Sequence, residues 1–188
     1  MNFIGTMPIE TDRLILRRIR EGDYRQAYKN WCSQEEVTSF VTWFIHKSEE
    51  ETKKLFDAWI KAYDSPDTFR WIVELKDTNE LIGSIDVVDE IEYGVCEIGY
   101  CYGKDYWGQG YGSEALKAVI KYLFDQAEAD TICARFMIDN PASGAVMKKA
   151  GMTFEGVLRS RMVDKKGGRQ DIGIYSITRD DHYGGGNL

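Results

Sequence analysis

Between Val95 and Lys121 the chain runs from a strand through clustered glycines into a helix, and that passage limits what the rest can be. Val95-Cys96-Glu97-Ile98-Gly99-Tyr100-Cys101-Tyr102 is short and β-rich in residue type, so it reads as a buried strand. Trp107-Gly108-Gln109-Gly110-Tyr111-Gly112-Ser113 then turns the chain. After Gly110 the apolar residues Tyr111, Ala115, Leu116, Val119, Ile120, Leu123 and Phe124 share one face of a helix. The first turn of a helix has N–H groups without partners, and the macrodipole adds about half a positive charge there. Glycines remove the Cβ atoms that would hold phosphate oxygens off those N–H groups. The stretch is therefore a candidate anion site. Glycines that only turn the chain are the alternative.

Two phosphate motifs are excluded. A P-loop needs Gly-Lys-Ser/Thr, which does not occur. The dinucleotide fingerprint needs Gly-x-Gly-x-x-Gly, whereas Gly108, Gly110 and Gly112 are spaced Gly-x-Gly-x-Gly and Ser113 follows. The glycines alone leave a generic nucleotide binder open.

A chain of 188 residues with 43% hydrophobic content fits one domain with a substantial core. No apolar run is long enough to span a bilayer, and Met1-Asn2-Phe3-Ile4-Gly5-Thr6 lacks a charged-then-apolar secretion pattern. A cytoplasmic protein with no membrane partner is the expectation. The net charge of −7 argues mildly against non-specific nucleic-acid binding and is compatible with a cationic or amine-bearing partner, ordinary solubility charge being the alternative. Cys32, Cys96, Cys101 and Cys133 form no Cys-x-x-Cys pair, and His46 and His182 are the only histidines. Neither a metal site nor a disulfide framework is expected. Cys96, Cys101 and Cys133 read as small buried strand residues.

In chain order, Thr11 to Ile19 is a first strand with one wet face. Asp23 can cap a helix running to about Trp31. Ser33-x-x-Glu36 and Ser48-x-x-Glu51 have capping-box spacing, the second opening a helix to about Tyr63. Phe40 to His46 is an aromatic loop or short helix, either packed in the core or walling a pocket. Phe69–Leu75 and Leu81–Val88 make a hairpin across Asp77 to Glu80. After the strand, turn and helix comes an end at Ala129-Asp130, then a strand over Thr131–Ile138. A short helix from Ala142 to Ala150 stops at Gly151. A second hairpin runs from Met152 to Thr178 through Lys165 to Arg169. The predicted fold is single-domain mixed α/β (α+β) with a mostly antiparallel central sheet flanked by helices. It spans residues 1–188, with a core of about 8–180 and a frayed tail at 183–188.

Three separated stretches resemble one family. Thr11-Asp12-Arg13-Leu14-Ile15-Leu16-Arg17 resembles the opening strand of GNAT N-acetyltransferases of the RimJ/RimL type. Glu97-Ile98-Gly99-Tyr100 and Tyr106 to Leu116 look like that family's acetyl-CoA motif, and Asn140 to Met152 is similar to its second motif. Trp107 stands where the wider family has Gln or Arg, a change usual in the RimJ/RimL branch. The resemblance covers about residues 8–180 and implies an acetyl-CoA-dependent N-acetyltransferase acting on a primary amine. The amine is a protein N-terminus or a small molecule, and a homodimer stays open.

By the same resemblance, the pyrophosphate of acetyl-CoA sits on the amides of Gln109 to Ser113. The pantetheine arm pairs with the backbone near Tyr100, Cys101 and Tyr102. The thioester carbonyl meets a backbone amide of that strand, and Asn140 and Ser143 touch the pantetheine and thiol. Cofactor-binding candidates are thus Tyr100, Cys101, Tyr102, Trp107, Gly108, Gln109, Gly110, Tyr111, Gly112, Ser113, Asn140 and Ser143.

An alkylamine is mostly protonated at pH 7, so a base or a water chain must take a proton. Glu97, on the strand that would bear the thioester, is the first candidate, as a base or as a charge that attracts the ammonium. It can instead satisfy a neighbouring backbone group or arginine. Asp86 and Glu155 are further candidates, each alternatively a solvated strand residue. Many family members place a tyrosine proton donor where this chain has Met147, which puts tyrosine acid catalysis in doubt. Ser143 is the substitute donor to the thiolate, unless it only caps the helix after Pro141. A Cys101 acyl-enzyme needs a histidine or cation that sequence does not place beside it. The Phe40 to His46 segment, the helix around Trp59, Glu97 and Arg161 would build the acceptor pocket. A non-catalytic acyl-CoA-binding sensor or assembly module is the rival from another class.

Overall fold

The computed structural model describes residues 1–91 and 93–184. The tail expected to fray lies outside them from residue 185 on. Eight strands form one sheet in the order β1-β2-β3-β4-β5-β6-β8-β7. They are β1 Ile9–Glu10, β2 Leu14–Arg17, β3 Arg70–Leu75, β4 Leu81–Ile91, β5 Val95–Tyr102, β6 Thr131–Met137, β7 Thr153–Val163 and β8 Arg169–Thr178. Every neighbouring pair is antiparallel except β5 with β6. The connection between those two is α4, Tyr111–Asp125, the crossover that a parallel pair requires.

One face of the sheet packs against α4 and α5, Pro141–Lys149. The helical stripe read from the sequence is the buried one: Ala115, Leu116, Val119, Ile120, Leu123 and Phe124 lie against Leu14, Leu16, Trp71, Val73, Ile85 and Ile98. The helix stops at Asp125, four residues short of the expected end, and Glu128 takes a left-handed φ of 53° in the loop that follows. The other face carries a second cluster, in which Ile19, Ala27, Trp31, Val37 and Phe56 meet Ile72 and Leu81. It is covered by α1 Asp23–Ala27, a π-helical turn Tyr28–Cys32, α2 Glu35–Thr38 and α3 Glu49–Ala62.

The expected caps fare unevenly. Asp23 does not cap α1: its carboxylate accepts from Arg20 N at 2.7 Å and from Arg17, and Gly22 precedes the helix without a side-chain cap. The chain from Tyr28 winds into a π turn, so one α-helix to Trp31 is not what forms. Ser33 donates to the Tyr28 carbonyl at 2.7 Å, which leaves Gln34 as the uncapped N-cap of α2. Ser48 does cap α3, accepting from Glu51 N at 3.3 Å, while Glu51 accepts from Lys47 N. Arg179–Tyr183 closes the described chain as α6, through a Thr178/Asp181 capping box that was not foreseen.

Candidate active site

The first turn of α4 is an open anion site by its backbone. Gly110 is the N-cap at φ 85°, a left-handed value that suits glycine, and no side chain caps the helix. The N–H groups of Tyr111, Gly112 and Ser113 therefore have no carbonyl of their own helix to meet. An Arg13 clamp fixes this end. Arg13 Nε donates to Glu114 Oε2 at 2.7 Å, its backbone N to Oε1 at 3.0 Å and its Nη1 to the Gln109 carbonyl at 3.1 Å. Its guanidinium lies 4.4 Å over the Tyr111 ring, and Thr11 Oγ1 donates to Glu114 Oε1 at 2.6 Å. Burial works against ionising Glu114, but the bonds from Thr11 and Arg13 and the Arg13 charge outweigh it, so its carboxyl lies below the ordinary range. Sequence reasoning missed this clamp, because nothing in the local spacing links Arg13 to a residue a hundred positions away.

Beside the turn the sheet opens. β5 and β6 pair only from Val95↔Thr131 to Ile98↔Ala134. Beyond that point Gly99 to Tyr102 stay bonded to β4 alone, and Arg135 to Met137 to β8 alone. Two strand edges thus diverge into a wedge whose walls carry backbone groups free to pair with an extended guest. On the α4 side of the wedge, Tyr100 OH donates to the Ser143 carbonyl at 2.9 Å and shares a 3.0 Å bond with Ser143 Oγ. Burial, with the Ser143 bond working against it, pushes the Tyr100 phenol well above its usual range, so it keeps its proton. Tyr102 OH is buried without a hydrogen-bond partner among the described residues, although its ring reaches within 3.2 Å of where a Gly112 Cβ would stand. An unpaired buried hydroxyl costs about 1–3 kcal/mol, and a polar guest in the wedge would relieve it. The residues present therefore fit an extended, anionic co-substrate such as acetyl-CoA.

Several of the other candidate residues also brace the site. Trp107 Nε1 donates to the Tyr102 carbonyl at 2.8 Å and Gln109 Nε2 to the Asp105 carbonyl at 2.8 Å, so both hold the turn by their side chains. Gly108 has open space around its Cβ direction at φ 75°. Asn140, not Ser143, caps α5, accepting from Ser143 N at 3.3 Å. Met147 is in the core, 1% exposed.

The opposite face of the wedge holds the carboxylates. Glu97 is 7% exposed, and Arg135 Nε lies 2.8 Å from both its oxygens. Asp89 stands opposite Glu97 on β4 and Cys133 on β6. Burial lifts the Cys133 thiol to about 11, Glu97 adding to the effect and Arg135 opposing it. Asp86, opposite Gly99, accepts from Arg70 Nε at 2.9 Å and Nη2 at 2.6 Å, both on Oδ2, and Arg70 stacks 4.4 Å over Trp59. It is therefore no solvated strand residue. Burial, with Cys32 and Asp86 adding to it, pushes the Cys101 thiol far up, which removes the thiolate an acyl-enzyme would need. Glu155 sits on β7, three strands or roughly 14 Å from β5, and takes a bond from the Ser176 hydroxyl.

The aromatic segment is a loop, with no helix between α2 and α3. Core packing describes part of it: Trp43 packs against the second cluster, whereas Phe40 is 38% and Phe44 67% exposed. The tip of the β7–β8 hairpin reaches the end of α2, just before this loop, through Lys165 Nζ, which donates to the Thr38 carbonyl at 2.6 Å. Arg161 lies on an exposed bulge beside Ser160, whose φ is 53°.

A family model described as an acetyltransferase (GNAT) domain matches residues 13–153. YoaA of Bacillus subtilis (strain 168), named as an uncharacterized N-acetyltransferase, is 33% identical over 172 residues, 91% of this chain and 96% of YoaA. The ribosomal-protein-serine acetyltransferase of Escherichia coli (strain K12) is 27% identical over 154 residues, 79% of this chain and 84% of that protein. A solved GNAT-family acetyltransferase from Bacillus anthracis superposes with a TM-score of 0.83 at 26% identity, over 93% of this chain and 99% of that one.

Proposed function

The chain belongs to the GNAT acetyltransferase family, and from that premise we propose that it moves an acetyl group from acetyl-CoA to a primary amine by direct attack. The observation that carries this reading is the wedge between β5 and β6, opening beside an uncapped helix N-terminus. The amides of Gln109 to Ser113 take the pyrophosphate. The freed edge of Tyr100, Cys101 and Tyr102 takes the pantetheine arm as an added strand and presents an amide to the thioester oxygen. Asn140 and Ser143 line the thiol end, Asn140 by holding Ser143 in place. Ser143 with Tyr100 behind it then supplies the proton that the departing thiolate accepts.

The acceptor enters from the other face. There the buried Glu97 carboxylate attracts its ammonium group, and the chain as a whole carries −7. A peptide N-terminus is the favoured acceptor: the exposed Phe40 and Phe44 give a peptide an apolar landing, and the E. coli relative's name specifies ribosomal-protein serine. The homodimer, the cytoplasmic location and a single domain over the whole chain belong to the same proposal.

Calorimetric titration with acetyl-CoA, with ATP and NAD as controls, is the first test. Micromolar binding of acetyl-CoA alone, about −8 kcal/mol, is the expected result. Equal binding of ATP or NAD returns the glycine turn to a generic nucleotide site. Release of CoA in the presence of peptide or small amines then separates an enzyme from a sensor that only binds.

A further inference from the structure

Resting on direct acetyl transfer to an amine, the geometry points to Asp86 as the group that takes the proton from the acceptor ammonium, with Glu97 confined to attracting it. Both carboxylates lie on the acceptor face, but their surroundings differ. Arg135 Nε bridges both oxygens of Glu97 beside the last paired rungs of β5 and β6. Asp86 is one step further along, opposite Gly99, where β5 has lost β6. Arg70 binds its Oδ2 only. Oδ1 accepts no hydrogen bond from the described residues and lies 3.8 Å from where a Gly99 Cβ would stand. Glycine at 99 thus puts no side chain of its own between that oxygen and the strand segment assigned to the thioester, and the bulged Val88, whose Cγ1 lies 2.7 Å from the same Cβ position, flanks the approach. The groups facing Asp86 are Arg70 from β3, Cys101 from β5 and Tyr63 from the end of α3. Only Arg70 among them is a cation. Burial lifts the Asp86 carboxyl, and Arg70 pulls the other way, so it accepts a proton more readily than an ordinary aspartate.

The step balances without another reagent. Asp86 Oδ1 takes one proton from R–NH3+, directly or through water. The freed nitrogen lone pair bonds to the thioester carbon, and the carbonyl becomes an oxyanion. Collapse breaks the C–S bond, the second nitrogen proton passes to the thiolate by way of Ser143 and Tyr100, and Asp86 returns its proton to water. The products are the amide, CoA thiol and one proton.

The test is the pH dependence of kcat/KM for a primary amine in wild type, Asp86→Asn, Arg70→Met and Glu97→Gln, with acetyl-CoA affinity and melting measured on each. Asp86→Asn is expected to lose about 100-fold or more in kcat/KM together with the acidic limb, while still binding acetyl-CoA. Arg70→Met is expected to move that limb to higher pH, because the cation that favours ionised Asp86 is gone. The acceptor's own ionisation is common to all variants. A folded Asp86→Asn that keeps the wild-type limb overturns the assignment. If that variant does not fold, an unmoved limb in Arg70→Met overturns it equally, as does loss of the limb in Glu97→Gln. A wild type that transfers acetyl to no amine sinks the parent reading, and this one with it.

Discussion

The two sides of the wedge are built by different rules. On the α4 side the working groups are backbone N–H donors, held by glycines and by the Arg13 clamp on Glu114. On the opposite side they are side chains, Glu97 with Arg135 and Asp86 with Arg70, each carboxylate on one strand and its guanidinium on another. In the proposed reaction the first side would recognise what every turnover has in common, a phosphorylated thioester carrier. The second would recognise what varies, the acceptor. Backbone donors tolerate side-chain change and leave a spacing in the sequence. Cross-strand ion pairs leave none.

That contrast can be broken at several points. The largest effect is expected from Gly112→Val, whose side chain would press on Tyr102 at 3.2 Å and Val146 at 3.4 Å already at its Cβ. Acetyl-CoA affinity should fall about 100-fold, close to 2.8 kcal/mol, as read by calorimetry on a variant that still melts cooperatively. Unchanged affinity would show that the carrier is not held at this helix end. Tyr100→Phe comes next, with kcat about tenfold lower and KM for acetyl-CoA little changed, since the bond it removes is spent on the leaving thiolate. Ser143→Ala combined with it should add less than its separate effect if the two hydroxyls act as one unit. Full additivity would separate them.

On the acceptor side, Glu97→Gln should raise KM for the amine about fivefold, roughly 1 kcal/mol, and the difference should shrink in high salt. An effect on kcat alone would move Glu97 from attraction to chemistry. The smallest effect is on stability, and its sign differs between the sides. Glu114 is depressed below its ordinary 4.5, so it contributes stability that is in place above that value and is lost as pH falls through the folded one. Asp86 is raised above 3.8, so its contribution is in place below 3.8 and is lost as pH rises through the folded value. Denaturation of Glu114→Gln from about pH 3 to about pH 7 should show a loss of about 1 kcal/mol at neutral pH and a shallower acid decline. A steeper decline would contradict the clamp.

The same contrast decides what the sequence revealed. The helix stripe from Ala115 to Phe124 was legible because burial follows the 3.6-residue period within one segment. The β5–turn–α4 passage and the mostly antiparallel sheet were legible for the same local reason. Asp86 and Glu97 could be picked out as acids on strands, and the sequence put Glu97 first, the reverse of the order proposed from their surroundings. Their ranking depends on Arg70, sixteen residues before Asp86, and on Arg135, thirty-eight beyond Glu97. The misread caps at Asp23 and Ser33 share one cause: a nearer or stronger partner, Arg17 for the first and the Tyr28 carbonyl for the second, took the side chain. The exposed Phe40 and Phe44 broke the rule that aromatic runs are interior, as they would at a surface that receives a partner.

Where β5 and β6 part, the sheet is continuous through four residue pairs only. A guest strand would stitch its halves together. Loading with co-substrate at about 100 times its Kd would then add roughly 2.7 kcal/mol against unfolding. The amides of Gly99 to Tyr102 and Arg135 to Met137 would be the ones whose hydrogen exchange slows most. The molecule's resistance to proteolysis would rise and fall with the acetyl-CoA supply, tying how long the enzyme survives to the metabolite it consumes.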